Sequence, residues 1–171
     1  MVEGLPSLLS SDMVELDPPI DFPSPPEEKE KEEAFKWQCK ELVLKEVVRV
    51  MCKSPYVHNE SKLFKDLLNR EKQATTGVGQ GLAIPHVRTK QPSELVVCFL
   101  RFRDGVEFMS LDNEPIQYLF GVITPPYDDK KYFNVLSWLG KIFTECYWLK
   151  DSLLACETPE EARSILISPK A

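Results

Sequence analysis

Two histidines, His58 and His86, are all that this 171-residue chain contains. Its five cysteines (Cys39, Cys52, Cys98, Cys146 and Cys156) are odd in number and widely spaced, with no C-x-x-C pair. Together these counts exclude the usual zinc-ligand patterns, so no metal site and no cofactor is expected. The cysteines read as small apolar residues in a reducing compartment, and Cys98, inside an apolar run, as an inert thiol. Long apolar runs are missing too. The longest, Leu95 to Leu100, is six residues, against roughly 18 for a membrane span. Glu3 stands near the N-terminus without a basic stretch, which argues against a secretory leader and for a cytoplasmic location. An excess of positive charge is absent as well. With 27 acids against 21 bases and a net charge of -6, the composition argues against a nucleic-acid binder.

What is present is enough for a packed core: 43% apolar residues and 10% aromatics, in a length that suits one domain spanning 1–171. The acidity is local. Residues 1–34 hold ten acids and two lysines, and the remaining 137 residues carry 17 acids and 19 bases. Met13 to Leu16 alternates like a short strand. Residues 17–26, with five prolines, read as an irregular link. Ser24-Pro25-Pro26-Glu27 then predicts a helix start with Ser24 as cap, followed by an acidic first stretch at 27–33. Phe35, Cys39, Leu42, Val43, Val47, Val50 and Met51 form its apolar stripe, ending before Pro55. Asn59 caps a second helix with Leu63, Phe64, Leu67 and Leu68 inward. Strands are predicted at Leu95–Phe102 and Ile116–Ile123, with a minor one at Val106–Phe108. A helix from about Lys130 to Glu145 turns Phe133, Leu136, Leu139, Ile142 and Phe143 to one face. Thr158-Pro159-Glu160-Glu161 is a capping box that opens a last helix. Interleaved helices and strands give one α/β domain.

The informative stretch is Gly77-Val78-Gly79-Gln80-Gly81-Leu82-Ala83-Ile84-Pro85-His86. Leu82 occupies the third glycine position of a dinucleotide fingerprint, and no Lys-Ser/Thr pair follows to make a P-loop. The glycines permit turns with positive φ and open amides toward an anion. Arg88 lies two residues beyond His86, and Thr75 and Thr76 bring hydroxyls. Cations beside a histidine keep the imidazole neutral and nucleophilic, and the same cations stabilise a phosphoryl group passing to it. His58, between Pro55 and the Asn59 cap, reads as an exposed loop residue. The run from Glu27 to Glu33 reads as a solvated face.

Asn69-Arg70-Glu71 followed by Thr75 to His86 resembles the active-site signature of the type-2 EIIA domains of the phosphoenolpyruvate-dependent phosphotransferase system. The fructose/mannitol class and its nitrogen-regulatory relative are the nearest in look. The resemblance extends to Ser7–Leu16, to Leu111-Asp112-Asn113-Glu114-Pro115-Ile116 and to Thr158–Ala162, nearly the whole chain. It implies a single-domain mixed β-sheet flanked by helices on both faces. It implies His86 as phosphoacceptor from phospho-HPr, with Arg70 near the phosphate. Thr75, Thr76, Gly77, Gly79 and Arg88 are then the expected phosphate-binding set.

Two positions depart from the family pattern. Val87 stands where a small residue is usual. Tyr132 stands where many members carry a second histidine, and a phenol donates a hydrogen bond without titrating near neutrality. The expected role is a phosphohistidine carrier of the nitrogen-regulatory type, with HPr or its nitrogen-branch counterpart as donor and a regulatory target as partner. The alternatives are a sugar-specific EIIA passing phosphate to a separate EIIB, and a binding module of the same fold that no longer transfers phosphate.

Overall fold

A computed structural model describes residues 8–168. Six strands form one mixed sheet: β1 (Val14–Leu16), β2 (Gly77–Gly79), β3 (Leu82–Ala83), β4 (His86–Arg88), β5 (Val96–Val106) and β6 (Ile116–Thr124). β6 lies at its centre. Antiparallel β5 flanks it on one side, with β1 parallel beyond. On the other side β3 and β4 run parallel to β6, end to end, and β2 folds back on β3 at the edge. The two apolar runs of the sequence lie in the two longest strands, β5 and β6, and are buried almost throughout; the last four residues of β5 are not. Strands covered on both faces need that composition.

Among the described residues five α-helices surround the sheet: α1 (Glu32–Met51), α2 (Glu60–Gln73), α3 (Asp129–Glu145), α4 (Tyr147–Ala155) and α5 (Pro159–Ile167). Successive strand residues project to opposite faces, and β6 shows what covers each. A side chain at Gly121 would meet Met51 and Val47 of α1. Tyr118 and Phe120 instead stack on Phe143 of α3, at ring-centroid distances of 5.6 and 5.4 Å. The expected α/β mixed sheet with helices on both faces is therefore what the chain forms. Two of the three predicted side-chain caps are made. Asn59 Oδ1 accepts the Lys62 N–H at 3.0 Å, and Thr158 and Glu161 close a capping box on α5.

Three expectations need correction, and one helix is announced by nothing in the sequence. α1 starts at Glu32 after a 3₁₀ turn at Lys29–Lys31, not at Ser24, whose side chain caps nothing. The reason lies in the Pro25-Pro26 pair: a residue before proline is pushed out of the helical region, so Pro25 cannot serve as the first helical residue. Val106 ends the long β5 instead of opening a minor strand with Phe108; β5 passes a register shift between Arg101 and Val106. α3 buries Tyr132 and Val135 with Leu139, Ile142 and Phe143, and leaves Phe133 56% exposed. Finally, α4 follows α3 after a break at Cys146 that no glycine or proline marks. Near the break Thr144 Oγ1 donates back to the Gly140 and Lys141 carbonyls, a bond that weakens the helix locally. The predicted opening strand is β1; the part of its segment before Leu8 lies outside the described residues.

Candidate active site

α2 carries two adjacent stripes. Leu63, Leu67 and Glu71 are buried at four-residue spacing. One position round the helix, Asp66, Asn69, Arg70 and Gln73 line an open hollow of about 650 Å³. β4 supplies the opposite wall. His86 pairs with Val122 of β6, and Arg88, two residues on, shares its face of the strand. Tyr132 and Phe133, in the first turns of α3, complete the rim.

The hydrogen bonds of His86 fix its tautomer. Its Nδ1 lies 2.6 Å from the Ile84 carbonyl, which can only accept, so Nδ1 carries the proton. Arg70 Nη2 lies 3.4 Å from Nε2, and a guanidinium can only donate, so Nε2 presents its lone pair. A second Arg70 nitrogen donates to the Ala74 carbonyl at 3.1 Å and so ties the guanidinium to the end of its own helix. Burial, ahead of the neighbouring Arg70 charge, pulls the His86 pKa below its ordinary 6.5. The Ile84 bond and the Glu71 carboxylate work the other way. The depression expected from the arginines thus has burial as its larger cause.

Tyr132 is buried, its ring 6.0 Å from the imidazole and tilted by 56°. Burial pushes its phenol up to about 12 although Arg70 and Arg88 pull it down. It therefore remains a protonated donor throughout the neutral range. Arg88 Nη1 pairs with Asp129 Oδ1 at 2.5 Å, and its guanidinium lies over the Phe133 ring at 5.8 Å. Val87 also reaches the hollow's lining.

The remaining residues singled out in the sequence lie elsewhere. Thr75, Thr76, Gly77 and Gly79 do not line the hollow. Thr75 Oγ1 accepts from Lys40 Nζ at 2.9 Å and from the Gly77 N–H at 3.2 Å. Thr76 gives its N–H and hydroxyl to Glu71 at 2.7 and 2.6 Å. Gly77 packs against Ser110, which a Cβ would meet at 2.6 Å, and Gly79 turns at φ 100°. So the structure brings His86, Arg70, Arg88, Tyr132 and Val87 together and leaves the threonines and glycines outside the lining. Sequence reasoning missed Asp66, Gln73, Lys90 and Phe133. Asp66 and Gln73 stand four before and three after Arg70, helical spacing that could have found them.

This arrangement is a fixed imidazole lone pair with two guanidinium groups nearby, in a hollow open to an incoming molecule. It suits transfer of an anionic group to nitrogen. Residues 27–168 match the family described as phosphoenolpyruvate-dependent sugar phosphotransferase system, EIIA 2, and the chain belongs to that family. It is 33% identical over 103 residues, 60% of its length, to the PTS system fructose-specific EIIABC component of Bacillus subtilis. It is 33% identical over 100 residues, 58% of its length, to the PTS system fructose-specific EIIA component of Haloferax volcanii. The matched stretches span 16% and 64% of those two relatives, less than two thirds of either. In three dimensions it resembles the nitrogen regulatory protein IIA-Ntr of Neisseria meningitidis, with a TM-score of 0.77 and 26% identity, over 95% of this chain and 98% of that one. Among the described residues no helix is long and apolar enough to cross a membrane.

Proposed function

We propose that the protein is a phosphohistidine carrier in which His86 Nε2 accepts a phosphoryl group from a phosphohistidine donor of the HPr type, general or nitrogen-branch. One observation carries this reading: the tautomer that leaves Nε2 unprotonated and facing Arg70 across an open hollow. As the Nε2 lone pair closes on phosphorus, the donor's N–P bond breaks and its electron pair returns to the donor ring nitrogen. His86 keeps its Nδ1 proton, held by the Ile84 carbonyl. Negative charge spread over the equatorial oxygens meets Arg70 and, once it leaves Asp129, Arg88. The Tyr132 hydroxyl donates to one of those oxygens. Thr75, Thr76, Gly77 and Gly79 act outside the hollow, Thr76 by accepting the Ile84 N–H on its carbonyl.

Near end-to-end similarity to the Neisseria nitrogen regulatory protein supports a regulatory role, with the phosphorylation state read by a partner protein. A phosphohistidine brings roughly two negative charges, enough to change a docking surface. The fructose-specific relatives support a second reading, passage of the phosphate to a separate EIIB of the fructose or mannitol type. Purified protein incubated with phosphoenolpyruvate, enzyme I and HPr should gain one acid-labile phosphate, and His86→Ala should gain none. Rapid discharge onto an added EIIB would favour sugar uptake over regulation. A wild-type chain that stays unphosphorylated by either HPr branch would leave the binding module, the reading that Val87 after the phosphoacceptor and Tyr132 in the second-histidine position favour.

A further inference from the structure

Outside the lining of the hollow lies a buried ion pair that phosphoryl transfer does not itself use. Lys40 of α1 and Glu71 of α2 meet at 2.7 Å, each with 1% of its side chain exposed. Removing two charges from water is unfavourable, and such a pair is tolerated only where its other polar atoms are matched. Here they are. Glu71 Oε1 also accepts the Thr76 N–H at 2.7 Å, and its Oε2 accepts the Thr76 hydroxyl at 2.6 Å. Lys40 Nζ also donates to Thr75 Oγ1 at 2.9 Å and lies 4.7 Å from the Phe108 ring centroid. From Thr76 the bonding continues to the reactive ring. The Ile84 N–H donates to the Thr76 carbonyl at 3.0 Å, and His86 Nδ1–H donates to the Ile84 carbonyl at 2.6 Å.

We infer that Lys40 and Glu71 are positioning residues for His86. Their ion pair pins the Thr75–Thr76 corner, that corner pins Ile84, and the Ile84 carbonyl selects the tautomer whose Nε2 lone pair faces Arg70. A well-packed apolar pair could match the ion pair in stability, but it could not hold the Thr76 N–H and hydroxyl at once. The retained charges therefore serve geometry. This assignment rests on His86 as phosphoacceptor for its consequence, and on the hydrogen bonds alone for its structure.

The two are tested separately by ring-nitrogen NMR of ¹⁵N-labelled full chain and by phosphoryl uptake. His58 is the one other histidine, so a His58→Gln spectrum assigns the signals. Wild-type His86 should be a single Nδ1–H tautomer above its pKa. Glu71→Gln and Thr76→Val should each show a mixture of tautomers, with uptake from phospho-HPr slowed by about 100-fold, the scale of a misplaced reacting atom. Leu166→Ala, a core truncation in α5 remote from His86, should lower stability and leave the tautomer unchanged. An Nε2–H tautomer in the wild type would overturn the inference, whatever the variants do. So would folded Glu71→Gln or Thr76→Val with wild-type ring signals. Mixed tautomers in the variants of a protein that takes no phosphate would uphold the positioning role and remove the transfer reading alone.

Discussion

A histidine acts as a nucleophile only while it is neutral, and His86 is kept neutral by burial first and by Arg70 second. The pH at which it loses reactivity should therefore lie below the ordinary 6.5. Initial rates of phosphoryl uptake measured from pH 5 to 8 should show an acid limb whose midpoint lies below 6.5. Arg70→Gln removes one of the two depressing influences, so its NMR titration should move upward. Its uptake should drop by about 10²–10³-fold, as when a donor facing developing charge is lost. An unshifted His86 titration in Arg70→Gln would contradict the contact at 3.4 Å. Tyr132 makes a separate case. If its hydroxyl donates to a phosphoryl oxygen, Tyr132→Phe should slow uptake by about 10-fold, a charge-assisted bond of about 1.5 kcal/mol. The acid limb should stay where it is, because the phenol, pushed up to about 12, does not titrate there. Of these residues, His86, Arg70, Arg88 and Tyr132 were legible in the sequence, because each stands in or near a motif of fixed spacing. Lys40 was not. A lysine amid apolar helix positions reads as solvent-facing, and only the packing of α1 on α2 shows that Glu71 lies opposite it.

Among the secondary-structure elements, legibility followed the strength of local chemical signals. Asn59 and Thr158 announced two helix starts because a side-chain oxygen three residues before an amide satisfies one of the free N–H groups of the first turn. Thr158→Ala should destabilise the protein by about 1 kcal/mol in urea unfolding, with α5 fraying first. The break between α3 and α4 had no such signal, and the start of α1 had a misleading one in its paired prolines. The orientation of α3 also escaped, because aromatic residues at both 132 and 133 allow two neighbouring stripes. The sheet chose Tyr132 and left Phe133 on the rim of the hollow. Between α1 and the sheet the approach is close enough to need a glycine. A Cβ on Gly121 would lie 2.4 Å from Met51 Cε, 2.8 Å from Cys98 Sγ and 2.8 Å from Val47 Cγ1. Met51 is flexible, but Cys98 sits on the neighbouring strand and Val47 on a packed helix. Gly121→Ala should therefore destabilise by about 1–3 kcal/mol, the usual range for overpacking, and a denaturation midpoint at or above that of the wild type would refute the close contact.

Across the whole molecule, the excess of acid was legible as a property of residues 1–34, but the response of the fold to pH was not, because it depends on tertiary contacts. It has two windows on the acid side, one set by His86 near neutrality and one below 3.8 to which Asp17 and the backbone-bonded Asp112 both contribute. His86 is a base whose pKa is lowered on folding, so between its folded value and 6.5 the unfolded chain binds more protons than the folded one. Stability is fully present above 6.5 and declines as pH falls through that window. Asp17 acts lower. Partial burial works to raise its pKa, but the Arg101 hydrogen bond, the Arg103 N–H and both guanidinium charges outweigh it and hold the carboxyl below the ordinary 3.8. Its contribution is present above 3.8 and is lost as pH falls through the folded value. That loss reaches beyond a surface pair, because Arg101, 2% exposed, bonds Asp17 Oδ2 at 2.5 Å and also the Leu153, Leu154 and Cys156 carbonyls at the end of α4. Protonating Asp17 loosens the join between β1, β5 and α4. Urea midpoints measured against pH at constant ionic strength should thus decline in two separated steps. His86→Gln should flatten the step just below 6.5 and leave the lower one, and Asp17→Asn should shrink the lower step, where Asp112 still titrates, and leave the upper one. Identical slopes in wild type and His86→Gln between pH 6.5 and 5 would mean that His86 is not held neutral by the fold.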